Sequence, residues 1–237
     1  MKIYAPSYYR DFKCIAEKCL HTCCVGWEID VDPDSFARFS KYPDVMRHVD
    51  PGDPAQIRLL DSEKCPFLNE NGLCDLIIRY GEEMLCNICA DHPRFRNFWS
   101  DRVELGLGLV CEEAGRLILS RKDPISLVLL SDDGGNEALT DAEKYLFGVR
   151  DELLKNVPET GAFARLREYF IYRHLPDALY DDRLEKRIRF VDYAMNAVKA
   201  AHQKTDGSFD SLVESARVFS YDVEYDEEKT EEILDSL

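Results

Sequence analysis

Apolar positions recur with helical spacing through the C-terminal half of the chain. The pattern predicts helices over 140–156, 160–175, 183–203 and 208–219, and a last helix near 226–237. His174 follows the apolar spacing of the second of these segments, which places it at a helix end rather than at a metal. An apolar run at 125–130, directly after Pro124, predicts one strand. We therefore expect residues 140–237 to form helices with few other elements.

The N-terminal half shows short elements between cysteine-bearing loops. Asp32 and Pro33 form an N-cap and first-turn pair that predicts a helix to Lys41. Residues 69–72 predict a turn, 73–80 a helix that Gly81 ends, and 82–90 a further helical turn or two. Residues 103–109 predict a strand and 112–120 a helix. The predicted fold class is mainly α: an irregular cysteine-rich, metal-binding N-terminal lobe (1–120) with short strands, followed by a helical C-terminal half (121–237).

Charge and composition narrow the functional class. The 237 residues are 45% hydrophobic, which is enough apolar material for a core. Asp and Glu number 46 against 30 Lys and Arg, so the net charge is −16. Such a charge repels a phosphate backbone, and we do not expect nucleic-acid binding. No apolar run approaches the roughly 20 residues that span a bilayer, and the first residues lack the apolar region of a secretory signal. We expect a soluble, cytoplasmic protein without membrane contact; its oligomeric state stays open.

The cysteines carry the candidate chemistry. All nine lie within the first 111 residues: Cys14, Cys19, Cys23, Cys24, Cys65, Cys74, Cys86, Cys89 and Cys111. An odd number, the missing export signal and the clustering favour metal or cluster ligands over a disulfide framework. Thiolates select zinc or iron in a cluster, and the spacing leaves the two open. The C-x3-C-x2-C pattern of radical S-adenosylmethionine enzymes is not completed, because Gly26 stands where the third cysteine belongs.

Three motifs stand out around the cysteines: C-x3-C-C at Cys19–Cys24, CPFL with GLC at Cys65–Cys74, and C-x3-P from Cys89 to Pro93. Together they resemble the bacterial zinc/iron-chelating cysteine-cluster family. The resemblance extends further, to the flagellin lysine-N-methylase family, through the first 30 residues and the segments HPRFRNFWSDRVELGLGLVCEEAGRLIL, YFIYRHL and ARVFSYDVEYDEEKTEEIL. It therefore runs from the first residues to the last predicted helix.

The resemblance implies an enzyme that methylates flagellin lysine side chains with S-adenosylmethionine. It also implies a [4Fe–4S] cluster, with zinc as the alternative metal. The implied ligands are a subset of four among Cys19, Cys23, Cys24, Cys65, Cys74, Cys86, Cys89 and Cys111. Cys14 is the weakest candidate because it precedes the compact C-x3-C-C unit. The alternative function is a zinc- or iron-binding structural or redox protein without methyl transfer. The catalytic residues stay unassigned.

Two further segments are candidates for cofactor binding. Gly106 and Gly108 stand where a nucleotide loop would need glycines, but Val110 replaces a third glycine. The competing explanation is that these glycines allow close packing before a helix. His92 and Arg94 follow Cys89 closely, and an arginine can pair with the carboxylate of a cofactor. The competing explanation for them is a turn whose arginines are solvated or paired with acidic residues.

Overall fold

The computed structural model describes residues 1–135 and 137–237, which divide into two compact units. One unit combines Met1–Lys13 with Pro93–Leu237, and the other is Cys14–His92. The division at residue 120 that composition suggests stays a prediction. No described helix has both the length and the apolar character needed to cross a membrane.

A four-stranded sheet organises the first unit. Its strands are β1 (Lys2–Pro6), β5 (Arg94–Phe98), β6 (Arg102–Leu107) and β7 (Leu127–Asp132), in the order β5-β6-β1-β7. β1 is parallel to β6, with Ile3 opposite Val103, and antiparallel to β7. β5 and β6 form an antiparallel hairpin. Strands from both of the chain segments that make up this unit therefore meet in one mixed sheet.

Seven α-helices of the described chain pack in the same unit. They are α5 (Glu112–Leu119), α6 (Asp141–Lys155), α7 (Gly161–His174), α8 (Ala178–Asp181), α9 (Leu184–His202), α10 (Phe209–Phe219) and α11 (Glu227–Ser236), with a π-helical turn at Ser220–Glu224. α6 begins in a capping box, since Thr140 Oγ1 accepts from the Glu143 amide and the Glu143 carboxylate accepts from the Thr140 amide. Leu166 and Phe170 of α7 are fully buried in the centre of the core.

The second unit is smaller and more irregular. Strands β2 (Asp30–Val31), β3 (Val49–Asp50) and β4 (Ala55–Ile57) form an antiparallel sheet in the order β2-β4-β3. Four short helices accompany it: α1 (Pro33–Phe39), α2 (Pro43–Met46), α3 (Asp75–Tyr80) and α4 (Asn87–Asp91). Phe39, Val45 and Ile57 belong to a separate apolar core, in which the buried thiols of Cys65 and Cys86 also lie.

The predicted fold class, mainly α, is wrong. Seven strands in two sheets run through the described chain, and the strand expected at 125–130 is present as β7, at one edge of the four-stranded sheet. The residue pattern did not reveal that β1 pairs with β6 and β7, because sheet pairing joins segments far apart in sequence. The metal-binding character of the lobe is not shown, because within residues 1–135 and 137–237 no group of three or more His, Cys, Asp or Glu side chains is arranged to hold a metal ion.

Candidate functional site

Most of the cysteines come together in the Cys14–His92 unit. Local backbone pairing brings their segments side by side: the Cys65 amide donates to the Cys24 carbonyl at 2.8 Å, and residues 25 and 64 form an antiparallel bridge. The turn at residues 69–72 then reverses the chain, so that Leu68 bridges to Cys74. Two loops and one turn thus place thiols from the first and second cysteine motifs in one region.

Asp32 positions the third motif. Its Oδ1 accepts from the Ser35 amide at 3.0 Å and caps α1, as the sequence predicts. Its Oδ2 accepts from the Asn87 amide at 2.9 Å, which fixes the start of α4 directly after Cys86. Burial alone would raise the pKa of Asp32, but the hydrogen bonds from Ser35 and Asn87 outweigh it and lower the pKa to about 2. One carboxylate therefore joins the N-termini of α1 and α4.

The thiols form hydrogen-bonded pairs. The Cys23 thiol donates to Cys24, which raises the pKa of Cys23 and lowers that of Cys24 to about 6. The Cys89 thiol bonds to Cys86, and this bond raises the pKa of Cys89. Each of the nine cysteines is reduced rather than disulfide-bonded. The Cys24 sulfur therefore gains thiolate character, which is the form that binds metals.

The pairs also interact with the single thiols of the unit. Burial raises the pKa of Cys65 to about 12 and raises that of Cys74; Cys24 and Cys89 add to both shifts by electrostatic repulsion. We use the name thiol cluster for Cys23, Cys24, Cys65, Cys74, Cys86 and Cys89. Four chain segments thus supply mutually interacting thiols. No three His, Cys, Asp or Glu side chains in the described part of the chain are arranged to hold a single metal ion. The thiol cluster therefore differs from a closed structural zinc site.

Three further cysteines that the sequence offers as candidate ligands are not members of the thiol cluster. Cys14 is exposed and its sulfur accepts from the Ala16 amide at 3.4 Å, although it still repels the Cys23 thiolate. Cys19 is half-buried and follows a short 3-10 turn at Ala16–Lys18. Cys111 belongs to the other unit, where it is the N-cap residue of α5 and packs on that unit's core. The predicted ligand set therefore spans both units.

Gly106 and Gly108 lie in and directly after β6, each facing a large side chain. A Cβ atom on Gly106 would stand 2.1 Å from Cζ of Phe95, its cross-strand neighbour. A Cβ atom on Gly108 would stand 2.8 Å from the Tyr225 hydroxyl and 3.2 Å from Arg173 Nη1. These contacts favour the close-packing explanation of the two glycines. Their assignment to a cofactor stays a prediction.

The other predicted contact residues lie against aromatic rings. The Arg94 guanidinium lies 5.4 Å from the ring centre of Phe12 and 5.8 Å from that of Tyr9. His92, in the second unit, contacts the Trp27 ring edge-on at 6.4 Å between ring centres. Arg94 as a cofactor contact stays a prediction.

The first unit contains a buried polar network around Glu224 that the residue pattern did not reveal. The Glu224 carboxylate, at the end of the π-helical turn, accepts from the Tyr169 hydroxyl at 2.9 Å and lies 2.6 Å from His174 Nε2. Arg173 Nε is 3.3 Å from the same carboxylate. Burial would raise the pKa of Glu224, but Arg173 and His174 lower it to about 2. The sequence offered one signal, the position of His174 at the end of α7, and the structure confirms that position.

Comparison with curated proteins finds distant relatives with flagellar and methylase names. Over 134 residues the chain is 25% identical to the flagellar biosynthetic protein FliU of Salmonella muenchen, covering 52% of this chain and 79% of that protein. It is equally similar to the lysine-N-methylases of Salmonella choleraesuis (strain SC-B67) and Salmonella typhimurium (strain LT2). The match spans a third of the length of these two enzymes, 33% of each. No family model matches the chain, and no solved structure matches it either.

Proposed function

We propose that this chain carries out methylation of lysine side chains on flagellin, with S-adenosylmethionine as the methyl donor. The observation that carries the proposal is the 134-residue similarity to two lysine-N-methylases. The similarity to a flagellar biosynthetic protein supports flagellin as the substrate. The net charge of −16 suits a partner that presents lysines, because opposite charges accelerate encounter.

We further propose that the thiol cluster holds a [4Fe–4S] cluster. The donor type fits, since cysteine thiolates are the usual ligands of such clusters. The arrangement also fits, because an iron–sulfur cluster distributes its ligands over several iron atoms and does not need three side chains around one ion. Cys24, Cys65, Cys74 and Cys89 come from separate segments and interact with one another, so they are the first choice of ligands. When bound, the group would supply redox or Lewis-acid chemistry.

The chain's own residues would then bind the substrate lysine and accept its proton. A lysine amine must lose its proton before it can accept a methyl group, and this requires a desolvated or acceptor-lined site. The buried Glu224 carboxylate is already engaged by Tyr169, His174 and Arg173, so its contacts give it a structural role. A group other than Glu224 must therefore accept the proton of the lysine.

The test is methyl transfer by anaerobically purified protein. With S-adenosylmethionine and its cognate flagellin, we expect intact-mass spectra of flagellin to gain increments of one methyl group each. Added salt should slow the transfer, since screening weakens attraction to an acidic protein. No mass change with fully metal-loaded protein would overturn the methyltransferase proposal and favour a structural or redox role.

A matched pair of cysteine variants tests the cluster separately. Cys24→Ser should lose iron and acid-labile sulfide, because Cys24 interacts with thiols of every other segment in the thiol cluster. The control Cys14→Ser should keep both, because Cys14 is exposed and outside that cluster. Equal iron contents in the two variants, or stoichiometric zinc after anaerobic preparation, would contradict the proposed iron site.

A further inference from the structure

Helix α6 presents an exposed face on which opposite charges stand at equal distances from a central glycine. Lys144 and Glu152 lie four residues before and after Gly148, and Asp141 and Lys155 lie seven residues before and after it. At about 3.6 residues per turn, all five positions share one side of the helix. All five residues are exposed. Each acidic residue therefore has a basic residue at the mirrored position of the same face.

Packing among the described residues does not explain Gly148. No atom of residues 1–135 and 137–237 lies within 4 Å of a Cβ placed on this glycine. The residue stands in the interior of α6, where any amino acid adopts the helical backbone and glycine is among the least favourable choices. Since glycine has no side chain, it lets a second backbone approach the helix closely. A partner outside the chain gives this glycine a reason that its own chain does not.

An apolar depression lies beside Gly148 on the same helix. It is open to solvent, has a volume of 440 Å³, and is lined by side chains of α6: Lys144, Tyr145, Val149, Glu152 and Leu153. Tyr145, at its rim, is 67% exposed although its ring is large and mostly apolar. The face therefore combines a cavity with an aromatic side chain that projects into solvent.

We propose that this face of α6 is a docking surface for a second copy of the chain, with the two α6 helices antiparallel and crossing at Gly148. Lys144 of each copy then lies opposite Glu152 of the other, and Asp141 lies opposite Lys155. A parallel arrangement would put like charges opposite each other, so the charges select the antiparallel one. They also select a second copy as the occupant, because an identical helix supplies all four complementary charges at the required spacing.

The apolar part of the face fits the same arrangement. A two-fold axis between antiparallel helices keeps each residue on the same side of the contact and reverses its height along the helix. Tyr145, three residues before Gly148, therefore lies at the height of Asp151 of the other copy, between Val149 and Leu153. The tyrosine ring of each copy fills the depression of the other, and the two glycines let the helices approach closely enough for this contact.

The association should be weak. One helix from each copy forms the contact, which places it below the roughly 1,200 Å² of standard interfaces. Each copy also carries a net charge of −16, which opposes their encounter. Lys144 already pairs with Asp141 of its own helix at 2.9 Å, but exposed pairs of this kind contribute little and can be shared. We therefore expect dimers at high-micromolar concentrations and monomers in dilute denaturation experiments, independently of methyl transfer and metal content.

The experiment is sedimentation equilibrium of the full chain over a rising concentration series at constant ionic strength. The average mass of the parent should rise from that of one chain toward that of two. Lys144→Glu replaces two attractive pairs of the dimer with two repulsive ones, so it should raise the dissociation constant about tenfold or more. Lys204→Glu is the matched control: it changes the net charge equally at an exposed position after α9 and should dimerise as the parent does.

A mixture of two variants tests the pairing itself. Glu152→Lys alone should also weaken the dimer, because it too places like charges opposite each other. An equimolar mixture of Lys144→Glu and Glu152→Lys makes both central pairs attractive again, so it should associate more tightly than either variant does alone. A mixture that associates no more tightly than the separate variants overturns the proposed arrangement.

A third variant tests the close approach at the crossing point. Gly148→Gln puts a good helix-forming residue at the contact, so α6 should stay helical by circular dichroism while the dimer is lost. It replaces the charge variants if they fail to fold. A parent that stays monomeric throughout the high-micromolar range overturns the proposal. So does a Lys144→Glu or Gly148→Gln protein that dimerises as tightly as the Lys204→Glu control.

Discussion

Replacing Gly106 with alanine tests why this glycine stands in β6. A Cβ at this position would lie 2.1 Å from Phe95 Cζ and 2.4 Å from Cε1, well inside the 3.4 Å at which ordinary contact begins. The Phe95 ring must therefore move by more than 1 Å or the strand must shift. Its neighbours leave little room: Tyr172 lies 6.0 Å away between ring centres, and the Arg173 guanidinium lies 4.7 Å above the ring.

The expected cost follows from two opposing effects. Forcing an extra carbon into a packed region costs about 1–3 kcal/mol. Replacing glycine with alanine also restricts the unfolded chain, which returns about 0.4–1 kcal/mol. We expect Gly106→Ala to lower the free energy of unfolding by about 1–2 kcal/mol, the middle of the range that these two opposing effects leave. With a urea dependence of about 2 kcal/mol per molar, the midpoint should fall by roughly 0.5–1 M.

Urea denaturation followed by circular dichroism at 222 nm measures this change, since most helices belong to the unit that contains Gly106. Gly148→Ala is the matched control: no atom lies within 4 Å of a Cβ there, and the residue is in α6. That variant should gain about 0.5–1 kcal/mol. In a Phe95→Ala background the cost of Gly106→Ala should largely disappear. A Gly106→Ala protein as stable as its parent, or a cost that persists without Phe95, would refute the packing explanation.

Three other perturbations have defined outcomes. Glu224 stays charged in the folded protein down to about pH 2, against its ordinary 4.5, so its stabilisation is complete above pH 4.5 and is lost as the pH falls toward 2. Glu224→Gln should therefore make unfolding midpoints less dependent on pH across this window, and an unchanged acid profile would contradict the assignment. Arg150→Met leaves the buried Glu104 carboxylate unpaired and should cost about 3–5 kcal/mol in thermal unfolding, whereas adding Glu104→Leu should recover most of it. Thr140→Ala removes the cap of α6 and should lower the free energy of unfolding by about 1 kcal/mol in a urea titration. An unchanged free energy would show that the capping box does not stabilise the protein.

Local sequence signals located most helices closely. The predicted segments 183–203 and 208–219 correspond to α9 (Leu184–His202) and α10 (Phe209–Phe219). Asp32 caps α1 as predicted, and Gly81, with a φ of 95°, ends α3 in the left-handed region that glycine tolerates. These features depend on residues within one or two helical turns, so they can be read without knowledge of the fold.

The candidate site was only partly predictable. Grouping of the cysteines followed from their number and spacing, and three segments do interact around Cys24 through Cys65, Cys74 and Cys89. The sequence could not show which thiols form hydrogen bonds with each other. The bonds between Cys23 and Cys24 and between Cys86 and Cys89 depend on side-chain rotamers and on burial. The Glu224 network was also out of reach, since its members come from α7 and from a π-helical turn about 50 residues later.

The sequence by itself determined the acidic character, the concentration of thiols in the first 111 residues and the positions of the amphipathic helices. Each of these depends on composition or on spacing over a few residues. Only the tertiary structure decided that β1 joins β6 and β7 in one sheet, and that Arg121 and Arg165 share Glu168. Strand pairing and buried charge balance arise from contacts between distant segments, whose free energy depends on packing and on exclusion of water rather than on local pattern.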